Sequence, residues 1–304
     1  MNGLKFGLKS LFWSAGSLLL LLSVLLLPAL NVLTVTLMMV PYVILYTMLP
    51  TKSFAIQAAV VLAIAFLIAG PVAPVVGLFF LVPAVIMGHL YRKKTAARVV
   101  LTAAILTILG ELMLELVLFE VILDLSLIQE MSNLVRSMTD DLLAQGMMPP
   151  QWNEEMTEAM IRVMIHSLPL VFISIAFFYS VLTHFIARRI LRAYGIDVPG
   201  MPPAHEWMVP RSLVFYYLVA IVLEMFISPQ DTSFISVALL NLVPLLRFVF
   251  AIQTIGFFFF IAHQRRWSRA VPLLMSIPVL LFPPLSLIGV LDVAFPIRKS
   301  FTKS

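Results

Sequence analysis

Apolar residues run along this chain in long blocks separated by short breaks, with little alternation of period two. A helix that spans a bilayer needs about 20 apolar residues at about 1.5 Å rise each. By that measure the chain divides into nine segments, approximately 11–29, 31–49, 54–69, 72–91, 96–123, 161–187, 211–228, 234–262 and 270–291. The joints carry breakers: Pro28 to Asn31, Pro50 to Ser53, Gly70 to Pro74, and the basic cluster Arg92, Lys93, Lys94. One long polar stretch, about 124–160, follows the fifth segment, and a Pro-rich loop at 193–210 follows the sixth. Within the polar stretch Leu125, Ile128, Met131, Leu134, Val135, Met138 and Leu142 recur at steps of three and four, which predicts an amphipathic helix. It is expected to lie on the outer membrane surface or to cap the bundle, and to end at Met147 to Pro150. Asn153, followed by Glu154 and Glu155, reads as an N-cap with acidic residues suited to the helix dipole. The second helix then runs into the sixth span through a kink at Pro169.

The fold class predicted is all-α: a polytopic membrane helix bundle of about 8–9 spans with an outer amphipathic helical hairpin. Three regions follow: 1–192, a six-helix bundle that includes 124–160; 193–210, a cytoplasmic Pro-rich loop; and 211–304, C-terminal helices with a short basic tail.

Composition agrees. Of 304 residues 62% are hydrophobic and 12% charged, with a mean hydropathy of +1.06, whereas soluble domains run near a quarter charged. A soluble enzyme is excluded. The absence of cysteine removes disulfides, thiolate nucleophiles and Cys-ligated metals. The net charge of +5 reflects placement rather than nucleic-acid binding, because basic residues gather at particular span ends. With the N-terminus in the cytoplasm, the inner side receives Lys5, Lys9, Lys52, the 92–94 cluster, Arg98, Arg188, Arg189, Arg192, Arg211, Arg265, Arg266 and Arg269. The outer side collects acids, among them Asp140, Asp141, Glu154, Glu155, Glu158 and Asp231. The first apolar run is expected to be an uncleaved span, being too long for a signal peptide and lacking a small-residue cleavage site. The tail breaks the pattern: nine crossings would put Arg298, Lys299 and Lys303 outside. Either the last segment, with Pro278 and Pro283-Pro284, re-enters, or the crossing count differs by one.

Ionisable groups inside a bilayer need a partner or a role. Glu111, Glu115, Glu120, Glu224 and Arg247 stand out. Glu111 and Glu115, at i and i+4, share one helix face. Arg98 to Glu111 and Arg211 to Glu224 are each thirteen residues, about 20 Å, and Arg247 to His263 is sixteen, about 24 Å, so Glu111, Glu224 and Arg247 reach similar depth. Arg247 is therefore expected to pair with Glu224 or Glu111, with surplus carboxylates left for a proton, a cation or a cationic substrate. A structural ion pair is the competing reading. The binding candidates are Glu111, Glu115, Glu224, Arg247 and Asn241, although interhelical hydrogen bonds are the default for Asn241, as for Asn31, Gln57 and Gln253. His89, His184 and His263 sit near predicted helix ends and read as interfacial; no histidine spacing matches a metal site.

Three stretches resemble the YybS-like family of bacterial membrane proteins, defined by a domain of unknown function. They are Val82 to Tyr91, with Gly88 ahead of the basic residues; the loop Pro202 to Pro210, with its proline, Trp207, proline spacing; and Gly289 to Lys299, with Gly289, Leu291, Asp292, then Arg298-Lys299. The resemblance covers nearly the whole chain and implies a bacterial plasma-membrane protein. The first six segments are also similar, distantly, to the S components of energy-coupling-factor transporters, but Leu11 to Ala29 lacks their paired alanines four apart.

The function expected is small-molecule binding or transport through a helix-bundle cavity near the fifth, seventh and eighth helices. The alternative is a non-transporting scaffold that recruits a membrane-protein partner. No enzymatic activity, cofactor, metal or nucleic-acid partner is expected; the partners are the lipid bilayer and a small-molecule or cation ligand.

Overall fold

The computed structural model describes residues 2–123, 126–149, 151–227, 231, 233–295 and 297–301. All secondary structure among them is helical. Seven helical stretches are long and apolar enough to cross a membrane: Gly7–Leu26, Asn31–Met48, Thr51–Ala69, Val72–Arg92, Ala97–Val121, Leu168–Ala193 and Phe234–Gln264. The other two expected segments come out shorter. The one at 211–228 forms a helix of only 13 residues, Ser212–Glu224, about 20 Å long. The last is broken where Pro283 and Pro284, lacking amide donors, interrupt the hydrogen-bond ladder.

By contact the chain divides into two compact units, 1–127 with 172–201, and 128–171 with 202–304. Unit 1 is built from α1 (Asn2–Leu26), α2 (Asn31–Leu37), α3 (Met39–Met48), α4 (Thr51–Ala69), α5 (Val72–Arg92), α6 (Ala97–Leu123) and most of α9 (Leu168–Ala193). At its centre lies α3, where every residue from Met39 to Tyr46 is buried, as expected of a helix that is apolar all round. Close approach depends on small residues of α5. A Cβ at Gly88 would come within 2.9 Å of the Tyr46 ring, and one at Gly77 would strike Leu62. Arg92, at the end of α5, closes the C-terminal end of α3: its guanidinium donates to the carbonyls of Tyr46 and Leu49 and lies 4.1 Å from the Tyr46 ring centroid. A cation on terminal carbonyls satisfies orphan acceptors and complements the helix dipole.

Unit 2 holds α7 (Leu127–Ala144), α8 (Glu154–His166), the start of α9, α10 (Ser212–Glu224), α11 (Phe234–Gln264), α12 (Ala270–Leu281), α13 (Ser286–Ala294) and α14 (Ile297–Phe301). α7 is the expected amphipathic helix but stops before the expected end at Met147. Gly146 adopts φ +68°, and the Met147 amide donates to the Leu142 carbonyl, a glycine-terminated helix end. Leu125 lies outside the described residues. Asn153 caps α8, accepting from the Met156 amide at 2.9 Å. The kink expected at Pro169 is instead a break at Ser167, with Pro169 in the first turn of α9, where a missing amide donor does no harm.

Arg136 on α7 donates to Glu158 on α8 at 2.6 Å and 3.2 Å. This hydrogen bond holds the Glu158 carboxyl below its ordinary range, so the pair steadies the hairpin at neutral pH and the contribution fades as pH falls through that lowered value. Hydrogen-exchange protection of α7 and α8 is expected to drop on acidification in the wild type and to lose that component in Arg136→Gln. An equal drop in both would rule the pair out.

The segment after α11 turns back on itself. α12 starts just past the end of α11, and the prolines at 283 and 284 form the tip near Thr254, whose hydroxyl lies 3.2 Å from the Leu285 carbonyl. α13 then returns, so that Arg298 lies 4.9 Å from the Phe260 ring centroid. The chain thus leaves the end of α11 at α12 and comes back to Phe260, in the last turns of α11, at Arg298.

Candidate functional site

The ionisable groups singled out in the sequence are divided between the two units. Glu111 and Glu115 share a face of α6 in unit 1, and Oε2 of Glu111 is buried with no hydrogen-bond partner among the described residues. Glu224, Arg247 and Asn241 belong to unit 2. The expected pair of Arg247 with Glu224 is not formed: among the described residues neither makes an ion pair. Glu224 is the last residue of α10 and is exposed there. Asn241 makes the interhelical bonds that were its default. Its oxygen accepts from the Leu170 amide at 2.9 Å, and its nitrogen donates to the carbonyls of His166 and Val237, each at 2.7 Å. It thereby satisfies one of the orphan amides at the start of α9.

His184 departs from its expected interfacial position. It is 5% exposed, and its Nδ1 lies 2.8 Å from the Tyr91 hydroxyl. Because α9 continues nine residues beyond it to Ala193, the imidazole falls inside the helix rather than at its end.

The densest polar construction in unit 2 joins two stretches that are far apart in sequence. Asp292 on α13 has a side chain with no exposure, and Arg298 at the start of α14 is 14% exposed. The guanidinium meets the carboxylate side-on, Nε to Oδ1 at 3.0 Å and Nη2 to Oδ2 at 2.7 Å. It also donates to the backbone of the Pro-rich loop, Nη1 to the His205 carbonyl at 3.0 Å and Nη2 to that of Trp207 at 2.9 Å. Gln253 of α11 donates to Asp292 Oδ2 at 2.6 Å and accepts from the Val209 amide at 3.0 Å. Gly256 lets the loop lie on α11, since a Cβ there would come within 3.2 Å of the Ala204 carbonyl oxygen. Buried charges persist only when paired and hydrogen-bonded, and this network meets both conditions while tying the 202–210 loop to α11, α13 and α14.

That loop forms one wall of a groove. A space of about 780 Å³ is lined by Pro203, Ala204, His205, Phe259, Ala262, His263, Arg266, Trp267, Arg269 and Pro272. His205 and His263, both in the lining, stack on one another with ring centroids 4.1 Å apart and planes 3° from parallel. Arg266 follows α11 with φ +54°, and the Trp267 amide donates back to the Ala262 carbonyl at 2.8 Å. Glycine is the usual residue at such a left-handed helix end, and a side chain there costs about 1 kcal/mol. An arginine therefore holds a mildly strained backbone position on the rim of the groove, as Lys94 does at the end of α5.

None of Glu111, Glu115, Glu224, Arg247 or Asn241 lines this groove. From the sequence, Arg266 and Arg269 mark only the inner membrane face. The signal available was the Pro-rich loop and the Gly289–Lys299 stretch, whose contact no local pattern reveals. Among the described residues no three His, Asp or Glu side chains are grouped to hold a metal ion.

Residues 15–293 match the model of a family described as "Predicted membrane protein (DUF2232)". Uncharacterized protein YybS of Bacillus subtilis (strain 168) is 25% identical over 271 residues, covering 84% of this chain and 85% of that protein. No solved structure matches, so the expected likeness to transporter S components gains no support.

Proposed function

Given that the chain belongs to the family of predicted membrane proteins DUF2232, we propose that it is a multi-pass protein of the bacterial plasma membrane that binds a small molecule in the groove between the 202–210 loop, the end of α11 and the start of α12. The N-terminus and the groove both face the cytoplasm in this reading. The basic ends of α5, α9 and α11 support that orientation through the positive-inside rule, and the returning 270–294 segment brings Arg298 to the same side as Arg211.

The observation that carries the reading is the groove itself. It is within the usual size of small-molecule sites, about 300–1,000 Å³, and combines apolar walls with a few convergent polar groups. The Asp292–Arg298–Gln253 network supports one wall from behind, as a site needs if its geometry is to be kept.

Ala204 is half-buried on the groove wall, so Ala204→Phe fills the space without touching the ion pair. Native mass spectrometry of the purified protein is expected to find a co-purifying small molecule in the wild type and to lose it in Ala204→Phe, with the melting temperature little changed. An identical mass spectrum for both would contradict a site in this groove and favour the scaffold alternative.

A further inference from the structure

We propose that the groove takes a phosphate-bearing anion with an apolar part, supplied either as the headgroup of a phospholipid or as a free phosphorylated solute. The inference rests on the groove being a binding site and adds the chemistry of its ligand. Arg266, Arg269, His205 and His263 all line the space, and among the described residues no carboxylate does. Glu206 Oε1 lies 3.6 Å from His205 Nε2. Among the described residues neither Arg266 nor Arg269 makes an ion pair, so two guanidinium groups face the groove uncompensated. Such groups present planar forks of donors that match phosphate oxygens two at a time. This sign of charge reverses the cationic ligand expected from the glutamates of the sequence.

Size and lining supply the second half of the ligand. A volume of about 780 Å³ is far larger than one phosphate group, and Phe259, Trp267 and Pro272 give the remainder an apolar surface. Pro272 lies in the first turn of α12, whose 12 residues are apolar except for Ser276. The anion site thus lies where a strongly apolar helix begins, the place at which a lipid headgroup meets its chains.

The test uses the full chain in detergent, with inorganic phosphate and glycerol 3-phosphate as soluble probes and nanodiscs of phosphatidylglycerol or phosphatidylcholine as lipid probes. Arg266→Gly relieves the left-handed backbone and keeps the fold, Arg269→Gln removes the second charge, and Arg189→Gln, exposed on α9, is the control. Arg266→Gly and Arg269→Gln are each expected to weaken phosphate-dependent thermal stabilisation at least tenfold in apparent affinity, with the control unchanged. A solute ligand appears as tight binding of glycerol 3-phosphate in lipid-free detergent. A lipid ligand appears as retained phosphatidylglycerol, lost in both arginine variants, with weak binding of the soluble probes. The proposal is overturned if acetate stabilises as well as phosphate at equal ionic strength, or if neither variant alters any of these bindings. If Ala204→Phe still displaces a co-purified molecule in that event, the groove remains a site and only its phosphate chemistry is refuted.

Discussion

Replacing Arg298 with alanine is expected to destabilise unit 2 by about 3–5 kcal/mol, because it strands a fully buried Asp292 carboxylate with one neutral donor. The loss exceeds that of an ordinary surface arginine because two loop carbonyls, of His205 and Trp207, lose their donor in the same step. Arg298→Lys should recover little, since an ammonium cannot reproduce the side-on fork and reach both carbonyls. Asp292→Asn combined with Arg298→Ala should be less harmful than Arg298→Ala alone, because the stranded charge is gone. Thermal melting in detergent, with Arg189→Ala as an exposed comparison, reads all four. A loss for Arg298→Ala no larger than for Arg189→Ala would show that the network does not hold the loop.

Gly289→Ala is the second large effect. A Cβ there would strike the Phe250 carbonyl oxygen and come within 2.9 Å of both the Thr254 amide nitrogen and its hydroxyl. Two of those atoms are backbone of α11 and cannot rotate away, so α13 must move off. That movement would break the 2.8 Å hydrogen bond from the Gly289 amide to Thr254 Oγ1. Overpacking of this kind costs about 1–3 kcal/mol and more when the obstacle is rigid; about 3 kcal/mol is expected. Gly110 on α6 supplies the contrast, with nothing within 4 Å of its Cβ position. Gly110→Ala should stabilise by about 0.5–1 kcal/mol through helix propensity alone. If the two substitutions behave alike in a melting experiment, the close packing of α11 on α13 is not as described.

These residues also mark how far the sequence could be read. Spans such as α4, α5 and α6 were legible because about 20 apolar residues between breakers is a local property. The Asn153 cap was legible for the same reason: the side chain bonds three residues ahead. Which helix faces meet was less so. Glu224 reaches the depth of Arg247 by counting from Arg211, and α10 is helical over that whole count, but equal depth does not say which helix faces meet, and neither residue makes an ion pair among the described residues. Long-range contact was not legible at all. His184 reads as interfacial until Tyr91, 93 positions away, is brought against it. The 202–210 loop and the Gly289–Lys299 tail were each noticed as family-like stretches, yet only the turn at Pro283 and Pro284 explains why Arg298 reaches the carbonyls of His205 and Trp207. The groove, made of those same pieces, was hidden with them.

An experimental density map of the protein purified without added ligand tests the central claim most directly. The account predicts non-protein density in the groove, touching Arg266 and Arg269 beside the stacked His205 and His263. An ordered groove closed by its own side chains, with ligand density elsewhere or nowhere, would contradict it.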